Sequence, residues 1–298
     1  MRILFCDSGF APNEIDYMYA EEYDAAQRNG LERSLISFEA LRKGNVEQAI
    51  KNVKVVNNEE IAIYRGWMLK PNEYQLLYQA LQSKNITLIN NPQAYQFCHY
   101  LPENYPVIQE FTPKTRFKKL VNPFELLDFK EELSEFGNRA IIVKDYVKSQ
   151  KHYWTEACFI PKANDWEQVE TVIRKFIDLQ AEDLNEGLVF REYVELKKLT
   201  HHSKSGMPLT KEFRLFILDG KIIQQLKYWE EGDYQNVELQ LEQFLQVIPK
   251  IKSRFFTMDI AQKENGEWII VELGDAQVAG LPEHADKIDF YKKLFNIT

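Results

Sequence analysis

Short apolar runs alternate with amphipathic stretches along the first 105 residues. The apolar runs predict strands at 3–6, 33–38, 60–66 and 86–89. Between them, helices are predicted at 14–28, from Pro71 to about Lys84, and after Pro92. Strands that alternate with helices predict a parallel sheet with helical crossovers. Residues 1–105 are therefore expected to form an α/β lobe.

The pattern changes beyond residue 105. Pro106 and Pro113 are predicted to break the chain, and 115–120 and 123–136 are predicted to be helical or loop-like. Apolar positions in 166–179 follow the 3.6-residue period of a helix. Further helices are predicted at 236–249 and from Glu283 onward. The remaining predicted strands lie at 139–145, 187–196, 211–218, 221–226, 255–261 and 267–273.

The last two strands form the clearest predicted hairpin. Asn265-Gly266 separates them and is the strongest short hairpin signal. A two-residue turn there places Glu264 opposite Glu267 and, further back, Asp259 opposite Glu272. Two like charges directly opposed in a ladder destabilise it. The two pairs of acids are therefore either solvated or arranged around a cation.

Asp259 and Glu272 each interrupt an apolar run, and burying a bare carboxylate is expensive. Mg²⁺ suits such a pair, because it is typically held by one or two carboxylates together with substrate phosphates. Asp275, just past the second strand, is a third candidate ligand. The alternative is that these acids form an ordinary solvated face.

Composition narrows the class of protein. Hydrophobic residues make up 45% and charged residues 28%, as in soluble globular proteins. The net charge of −8 argues against general nucleic-acid binding, and no apolar run approaches the ~18 residues of a membrane span. Cys6, Cys98 and Cys158 are scattered, which favours reduced thiols over disulfides or zinc. With no signal-peptide pattern, a cytoplasmic location is predicted.

Basic residues supply the second group of candidates. Lys144 ends a predicted strand and is placed to meet a nucleotide phosphate, with Lys148 on the polar loop beyond it. Solvated lysines are the alternative. Arg214 either pairs with Glu212 on its own face or makes a bidentate contact to phosphate or carboxylate.

Three other polar features carry weaker signals. Arg65 leaves a strand end, where ligands gather on open α/β sheets, and an ordinary surface arginine is the alternative. The first strand continues into CDSGFAPNE, which is neither a dinucleotide fingerprint nor a Walker A loop. His201 and His202 lie in a Lys/Ser/Gly loop and are interpreted as an exposed pair rather than metal ligands.

Taken in order, these clusters resemble the ATP-grasp superfamily over about residues 107–282. V-K-D-x-x-K-S at 143–149, E-F-R-L-F at 212–216 and the more specific E-L-G-D-A-Q-V-A-G-L-P at 272–282 are similar to its R2K branch. The resemblance implies an α/β (α+β) class of fold. Residues 1–105 would be a Rossmann-like pre-ATP-grasp lobe, and 106–298 an ATP-grasp domain that clamps ATP between two small sheets.

The resemblance also implies the cofactors ATP and Mg²⁺ and assigns site residues. A linker strand presents its backbone to the adenine edge and the acid Glu195 to the ribose. Arg214 and Lys148 are the predicted catalytic residues. Asp275 replaces the asparagine that typical members carry where this chain has Gly274. The predicted nucleotide-binding residues are Lys144, Glu192, Tyr193, Val194, Glu195 and Arg214, and the predicted metal ligands are Asp259, Glu272 and Asp275.

The reaction that the resemblance implies begins with attack of a substrate carboxylate on the γ-phosphate. An amine then captures the acylphosphate, giving an amide, ADP and phosphate, chemistry that needs mainly positioning and charge neutralisation. The expected partners are small-molecule or peptide carboxylates and amines, with no membrane or nucleic acid, and a homodimer is left open. Lys148, Lys151, His152 and Arg65 are placed on the acceptor side by position alone. A kinase-like phosphotransferase and a non-catalytic ATP-binding module are the alternatives.

Overall fold

A four-stranded parallel sheet organises the N-terminal lobe of the computed structural model. The model describes residues 1–9, 11, 13–121, 125–201, 203, 208–234 and 237–297. The strands of this sheet are β1 (Arg2–Cys6), β2 (Glu32–Ile36), β3 (Glu60–Arg65) and β4 (Ile86–Leu88). Their order across the sheet is β2-β1-β3-β4, and all neighbours are parallel, which confirms the predicted sheet.

Among the described residues of this lobe, six helices accompany the sheet. They are α1 (Ala20–Arg28), α2 (Phe38–Arg42), α3 (Val46–Ala49), α4 (Pro71–Gln82), α5 (Pro92–His99) and α6 (Leu101–Ile108), with a 3₁₀ turn at Tyr17–Tyr19. The first helix therefore starts later than predicted. Pro106 lies inside α6, so the chain break predicted at this residue is wrong.

The second sheet is antiparallel and has the order β5-β8-β6-β7. Its strands are β5 (Thr115–Lys119), β6 (Ile141–Asp145), β7 (Phe159–Ile160) and β8 (Gly187–Glu192). The sequence prediction was wrong for β5, because this lysine-rich edge strand is extended only through its pairing with β8. The accompanying helices are α7 (Lys130–Ser134), α8 (Trp154–Ala157) and α9 (Trp166–Gln180), with 3₁₀ turns at Leu126–Phe129, Lys151–Tyr153 and Ala181–Asp183.

The third sheet is also antiparallel, and a two-stranded ladder precedes it along the chain. The ladder strands are β9 (Lys198–His201) and β10 (Pro208–Thr210), and the sheet strands are β11 (Glu212–Leu218), β12 (Lys221–Lys227), β13 (Phe255–Gln262) and β14 (Trp268–Asp275). The order across the sheet is β12-β11-β13-β14. The helices are α10 (Glu242–Leu245) and α11 (Lys287–Ile297), with a 3₁₀ turn at Ile248–Lys250. The helix predicted at 236–249 is therefore much shorter than expected, and its first residue lies outside the described residues.

Two polar sheet faces meet across a cleft. Lys144 and Arg191 lie on one face of the second sheet, since Arg191 pairs with Ile142, two residues before Lys144. The other face of that sheet packs on α9 through residues such as Val143 and Phe190. In the third sheet, Arg214 and Asp259 lie side by side on the face that meets this cleft. The opposite face is apolar and belongs to a separate core.

The β13–β14 hairpin differs in detail from the prediction. Its loop has three residues rather than two, because the Lys263 amide donates to the Glu267 carbonyl oxygen at 2.8 Å. The predicted opposition of Glu264 and Glu267 is therefore wrong. A one-residue bulge further along corrects the register, and Asp259 does lie opposite Glu272 as predicted.

In the part of the chain that the structure describes, no helix is both long and apolar enough to cross a membrane.

Candidate active site

Arg214 and Asp259 form a bidentate pair across β11 and β13. Arg214 Nε and Nη2 donate to the two Asp259 carboxylate oxygens at 2.8 and 2.7 Å. Arg214 Nη1 also donates to the Gly280 carbonyl oxygen at 3.2 Å. Glu212, the alternative partner considered from sequence, accepts a hydrogen bond from the Thr210 hydroxyl instead. The guanidinium is thus fixed in orientation, as the fork geometry of arginine allows.

Glu272 lies next to this pair and faces Lys144 across the cleft. Lys144 Nζ is 3.6 Å from Glu272 Oε2. Burial opposes ionisation of Glu272, but the charges of Lys144, Lys151 and Arg214 outweigh it and lower the pKa of Glu272. Its side chain is 38% exposed and accepts no hydrogen bond from any described residue. Glu272 is therefore ionised and available to a ligand.

Lys151, whose side chain is exposed, is the loop lysine on which the acids of the site act electrostatically. Burial works to lower the pKa of Lys151, but the nearby carboxylates of Glu272, Glu212 and Asp259 outweigh it and raise this pKa. Both lysine side chains, Lys148 and Lys151, are exposed, and within the described chain neither has a carboxylate at ion-pair distance. The sequence motif alone does not distinguish the two lysines.

Asp145 shapes this loop and explains the V-K-D-x-x-K-S motif. It is fully buried and accepts hydrogen bonds from the Val147 and Lys148 amides and from Gln180 and Asn185. These contacts close a turn directly after Lys144. The turn fixes Lys144 at the strand end, where its ammonium reaches Glu272.

The cleft between the sheets has a volume of about 160 Å³. Its lining brings together residues from the N-terminal lobe, from β6 and from the third sheet. These include His99, Asn104, Lys144, Arg214, Thr257, Asp259, Glu272, Gly274, Asp275, Val278 and Gly280. The predicted phosphate-binding cations and predicted acids therefore share one cavity.

Asp275 reaches the cleft wall but has other partners. Asn90 donates to one carboxylate oxygen at 2.6 Å, and the Gln277 amide and side chain donate to the other at 3.0 and 3.1 Å. Burial raises the pKa of Asp275 to about 6. In the described ranges no group of three or more His, Cys, Asp or Glu residues is arranged to hold a metal ion. The geometry thus gives Glu272 the most support as a metal ligand, because both carboxylate oxygens of Asp259 accept from Arg214 and both of Asp275 accept from Asn90 and Gln277.

Gly274, where the resemblance led us to expect an asparagine, is closely packed against β13. It pairs with Thr257, and a Cβ at position 274 would come within 2.8 Å of the Thr257 hydroxyl oxygen. Any side chain here would displace Thr257 or bend the strand. A side chain at position 274 would therefore require the Thr257 hydroxyl to move.

The linker that follows β8 leaves backbone groups free. Tyr193 donates its amide to Ala140, and the Glu195 carbonyl accepts from Glu264. Val194, between them, has no backbone hydrogen bond to any residue that the structure describes. An exposed aromatic cluster stands beside it, since the Tyr193 ring packs edge-on against Phe159 with centroids 5.0 Å apart. The Glu192 carboxylate forms an ion pair with Arg139 at 3.0 Å.

Arg65 is neither a surface arginine nor a free ligand-binding group. It is fully buried and paired with Glu22, and it donates to the Ala276 and Ala279 carbonyl oxygens, both at 2.8 Å. It therefore anchors the 276–280 loop that lines the cleft. His201 is exposed, in line with the prediction, whereas His202 lies outside the described residues.

Two facing sheets with lysine and arginine on opposite walls and acids between them define an ATP-grasp type of cleft. The model of the family described as ATP-grasp domain, R2K clade family 3, matches residues 135–294, more than half of the chain. The chain therefore belongs to this family, and the predicted fold and R2K branch are confirmed. No curated protein sequence matches the chain.

Solved structures share the fold at low identity. D-cycloserine synthetase DcsG is 12% identical with a TM-score of 0.61, covering 100% of this chain and 99% of that chain. The RimK domain protein ATP-grasp from Sphaerobacter thermophilus DSM 20745 is 10% identical with a TM-score of 0.60, covering 100% of both chains. The ATP-grasp ligase PsnB, complexed with minimal precursor, Mg and ADP, is 12% identical with a TM-score of 0.56, covering 99% and 97%. These neighbours confirm the fold, and the predicted ligase class and cofactors agree with them.

Proposed function

We propose that this protein is an ATP- and Mg²⁺-dependent carboxylate–amine ligase. It would form an amide or peptide-type bond through an acylphosphate and release ADP and phosphate. One observation carries the proposal: Asp259 and Glu272 are opposed in the cleft, with Arg214 on one and Lys144 beside the other. Opposed acids flanked by cations suit a nucleotide phosphate bound together with a divalent cation.

The donor set fits Mg²⁺. Glu272 offers an ionised carboxylate without a hydrogen bond, and Asp259 lies directly opposite it. Hard carboxylate oxygens completed by phosphate oxygens are the environment that Mg²⁺ prefers. When bound, Mg²⁺ would neutralise charge that develops on the phosphates. Asp275 stays the predicted third ligand; its oxygens, like those of Asp259, already accept hydrogen bonds, so binding of the ion would require both acids to exchange a partner.

The nucleotide would lie between the second and third sheets. Lys144 supplies a point charge, and Arg214, held in orientation by Asp259, supplies a fixed positive charge beside the phosphate groups. The free backbone of Val194 would meet the adenine edge, with Glu195 near the ribose and Tyr193 beside the base. This arrangement supports residues 1–105 as the pre-ATP-grasp lobe and 106–298 as the ATP-grasp domain.

The chemistry would proceed in two transfers. A substrate carboxylate oxygen attacks the γ-phosphorus, and the bond to ADP breaks. An amine nitrogen then attacks the acyl carbon, phosphate leaves, and the amine loses a proton. The chain supplies positioning and charge through Lys144, Lys151 and Arg214, and needs no covalent enzyme intermediate. Lys148 stays a predicted catalytic residue, and a cytoplasmic location stays a prediction.

Structural neighbours support two substrate classes. One neighbour is a ligase bound to a precursor peptide, and another is a D-alanyl-alanine synthetase. We propose that the carboxylate and amine of this protein are likewise peptide or small-molecule groups. Lys148, Lys151 and His152 stay assigned to the acceptor side, whereas buried Arg65 is removed from it.

Two measurements test the proposal. Calorimetry should show ATP binding that strengthens with Mg²⁺, and absence of Mg²⁺-dependent binding would contradict the proposal. Mass spectrometry after incubation with ATP and a mixture of metabolites and peptides should show products lighter by one water than their summed substrates. A phosphorylated acceptor that persists would indicate a kinase-like phosphotransferase instead. Binding without any product would indicate a non-catalytic module.

A further inference from the structure

One residue of β14 has no partner in β13. The ladder pairs Ile260 with Ile270 and Asp259 with Glu272, so Val271 is left over between the two pairs. The alternation of buried and half-buried residues along β14 is interrupted at the same place. Ile270 is buried, Val271 and Glu272 are both half-buried, and the alternation resumes afterwards. A one-residue β-bulge at Val271 therefore divides the strand.

The bulge decides where Glu272 points. The three-residue hairpin loop sets the register of the half of β14 nearest the turn. If that register continued, Asp259 would face Val271, and Glu272 would turn toward the core with Met258. This follows because a slip of one residue exchanges the two faces of a strand. The second acid thus reaches the cleft only because Val271 is extruded from the ladder.

Arg191 holds the extruded segment from the facing sheet. Its Nη1 donates to the Val271 carbonyl oxygen, and its Nη2 donates to the Ile270 carbonyl oxygen at 3.1 Å and to the Thr112 hydroxyl. Thr112 in turn donates to the Ile270 carbonyl oxygen at 2.7 Å. The Ile270 amide donates to the Phe111 carbonyl oxygen at 2.7 Å. Arg191 and Thr112 together therefore fix two successive carbonyl groups of β14.

Placing an arginine here has a cost that its contacts must offset. Arg191 is buried, and burial lowers its pKa to about 10. In the described part of the chain, no carboxylate lies within ion-pair distance of Arg191, and its Nε has no hydrogen-bond partner. A buried charge without a paired carboxylate is unfavourable. The rigid, planar guanidinium compensates because it can donate to two adjacent carbonyl groups at once.

We propose that Arg191 is a positioning residue that holds the Val271 bulge and thereby keeps Glu272 opposite Asp259. The inference rests on the proposed function, in which those two acids bind Mg²⁺. It assigns no contact between Arg191 and substrate. Arg191 acts through the backbone of β14.

Two variants separate positioning from charge. Thr112→Val removes one hydroxyl from the anchor with little change in shape and none in charge. Arg191→Lys keeps the charge but loses the fork. Thr115→Val is the matched control, because Thr115 is a fully buried threonine nearby whose hydroxyl donates to Pro113 and not to β14.

The first readout is independent of activity. Hydrogen exchange of the amides of residues 270–272 in the ligand-free protein should be about 10-fold faster or more in both variants and unchanged in the control. Unchanged exchange in Thr112→Val would overturn the proposal, even if Arg191→Lys failed to fold.

The second readout is nucleotide binding by calorimetry. The strengthening of ATP binding by Mg²⁺ should fall about 10-fold in both variants, as for other residues that orient metal ligands, with Mg²⁺-free ATP affinity within about twofold. If Mg²⁺ strengthened ATP binding by Arg191→Lys as much as by the wild type, a positive charge at position 191 would be sufficient, and the proposal that Arg191 positions β14 would be overturned. If wild-type protein bound no ATP, the proposed function would fail, and the exchange data would still decide what holds the bulge.

Discussion

Arg65 donates to both carboxylate oxygens of Glu22 at 2.8 Å, and both side chains are buried. The pair links β3 to α1, and Tyr291 adds a hydrogen bond to Glu22 from α11 at 2.7 Å. The remaining Arg65 nitrogen holds the loop after β14. The N-terminal lobe, the C-terminal helix and a wall of the cleft thus depend on one ion pair.

Glu22→Gln should destabilise the protein strongly. The variant leaves the Arg65 charge buried without its carboxylate, and breaking a buried pair in this way typically costs about 3–5 kcal/mol. Urea unfolding at pH 7 measures the change. Glu39→Gln is the control, because the pair of Glu39 with Lys43 is exposed and should contribute nothing measurable. Equal stability of Glu22→Gln and wild type would show that the pair does not hold the lobes.

Glu272→Gln should abolish ADP formation while leaving the fold intact. The amide keeps the shape of the side chain but loses the charge that we assign to Mg²⁺, and a loss of about 100-fold or more in turnover is expected. A coupled assay for ADP measures turnover, and circular dichroism checks the fold. Glu267→Gln, an exposed acid on the same hairpin, should retain full turnover. Unchanged turnover in Glu272→Gln would remove the metal assignment.

Lys151→Met should reduce ATP turnover more than Lys148→Met. The carboxylates of Glu272, Glu212 and Asp259 raise the pKa of Lys151, so this side chain is a cation under the influence of the acids of the site. Loss of one oriented charge should lower turnover about 10-fold or more. Steady-state kinetics on both variants measures the difference. A larger loss of turnover in Lys148→Met would support the prediction from sequence that Lys148 is the catalytic lysine.

His99 should make the protein less stable in mild acid. Burial lowers its pKa from 6.5 to about 4, so the unfolded chain binds more protons between these values. Stability present above pH 6.5 is therefore lost as the pH falls toward 4, by about 2–3 kcal/mol at pH 4.5.

His99→Phe supplies the comparison for this prediction. Phenylalanine keeps a ring against Tyr95, whose ring centroid is 4.4 Å from that of His99, but cannot titrate. Urea unfolding at pH 7.5 and pH 4.5 measures the free energy of unfolding of both proteins. The difference in favour of the wild type should be smaller at pH 4.5 by about 2–3 kcal/mol. A difference in the free energy of unfolding that is the same at both pH values would contradict the lowered pKa of His99.

The local sequence pattern predicted the secondary-structure elements far better than it predicted which elements pack against one another. The parallel lobe, the β13–β14 hairpin and the long helix α9 follow from periodicity and turn residues. The edge strand β5 was missed because its lysine-rich sequence becomes extended only through pairing with β8, and α6 was missed because Pro106 is tolerated in a short helix. The opposition of Asp259 and Glu272 was predicted correctly from an incorrect turn, since the Val271 bulge offsets the extra loop residue.

The sequence by itself determined that carboxylates interrupt apolar strands, that a lysine ends β6, and that the last motif resembles the R2K branch. These are local facts of residue type and spacing. Only the tertiary structure decided that Arg214 binds Asp259, that Arg65 anchors a loop, and that Arg191 reaches the bulge at Val271. Each of these contacts joins segments distant along the chain, and its energy depends on burial and register that arise only when the sheets pack together.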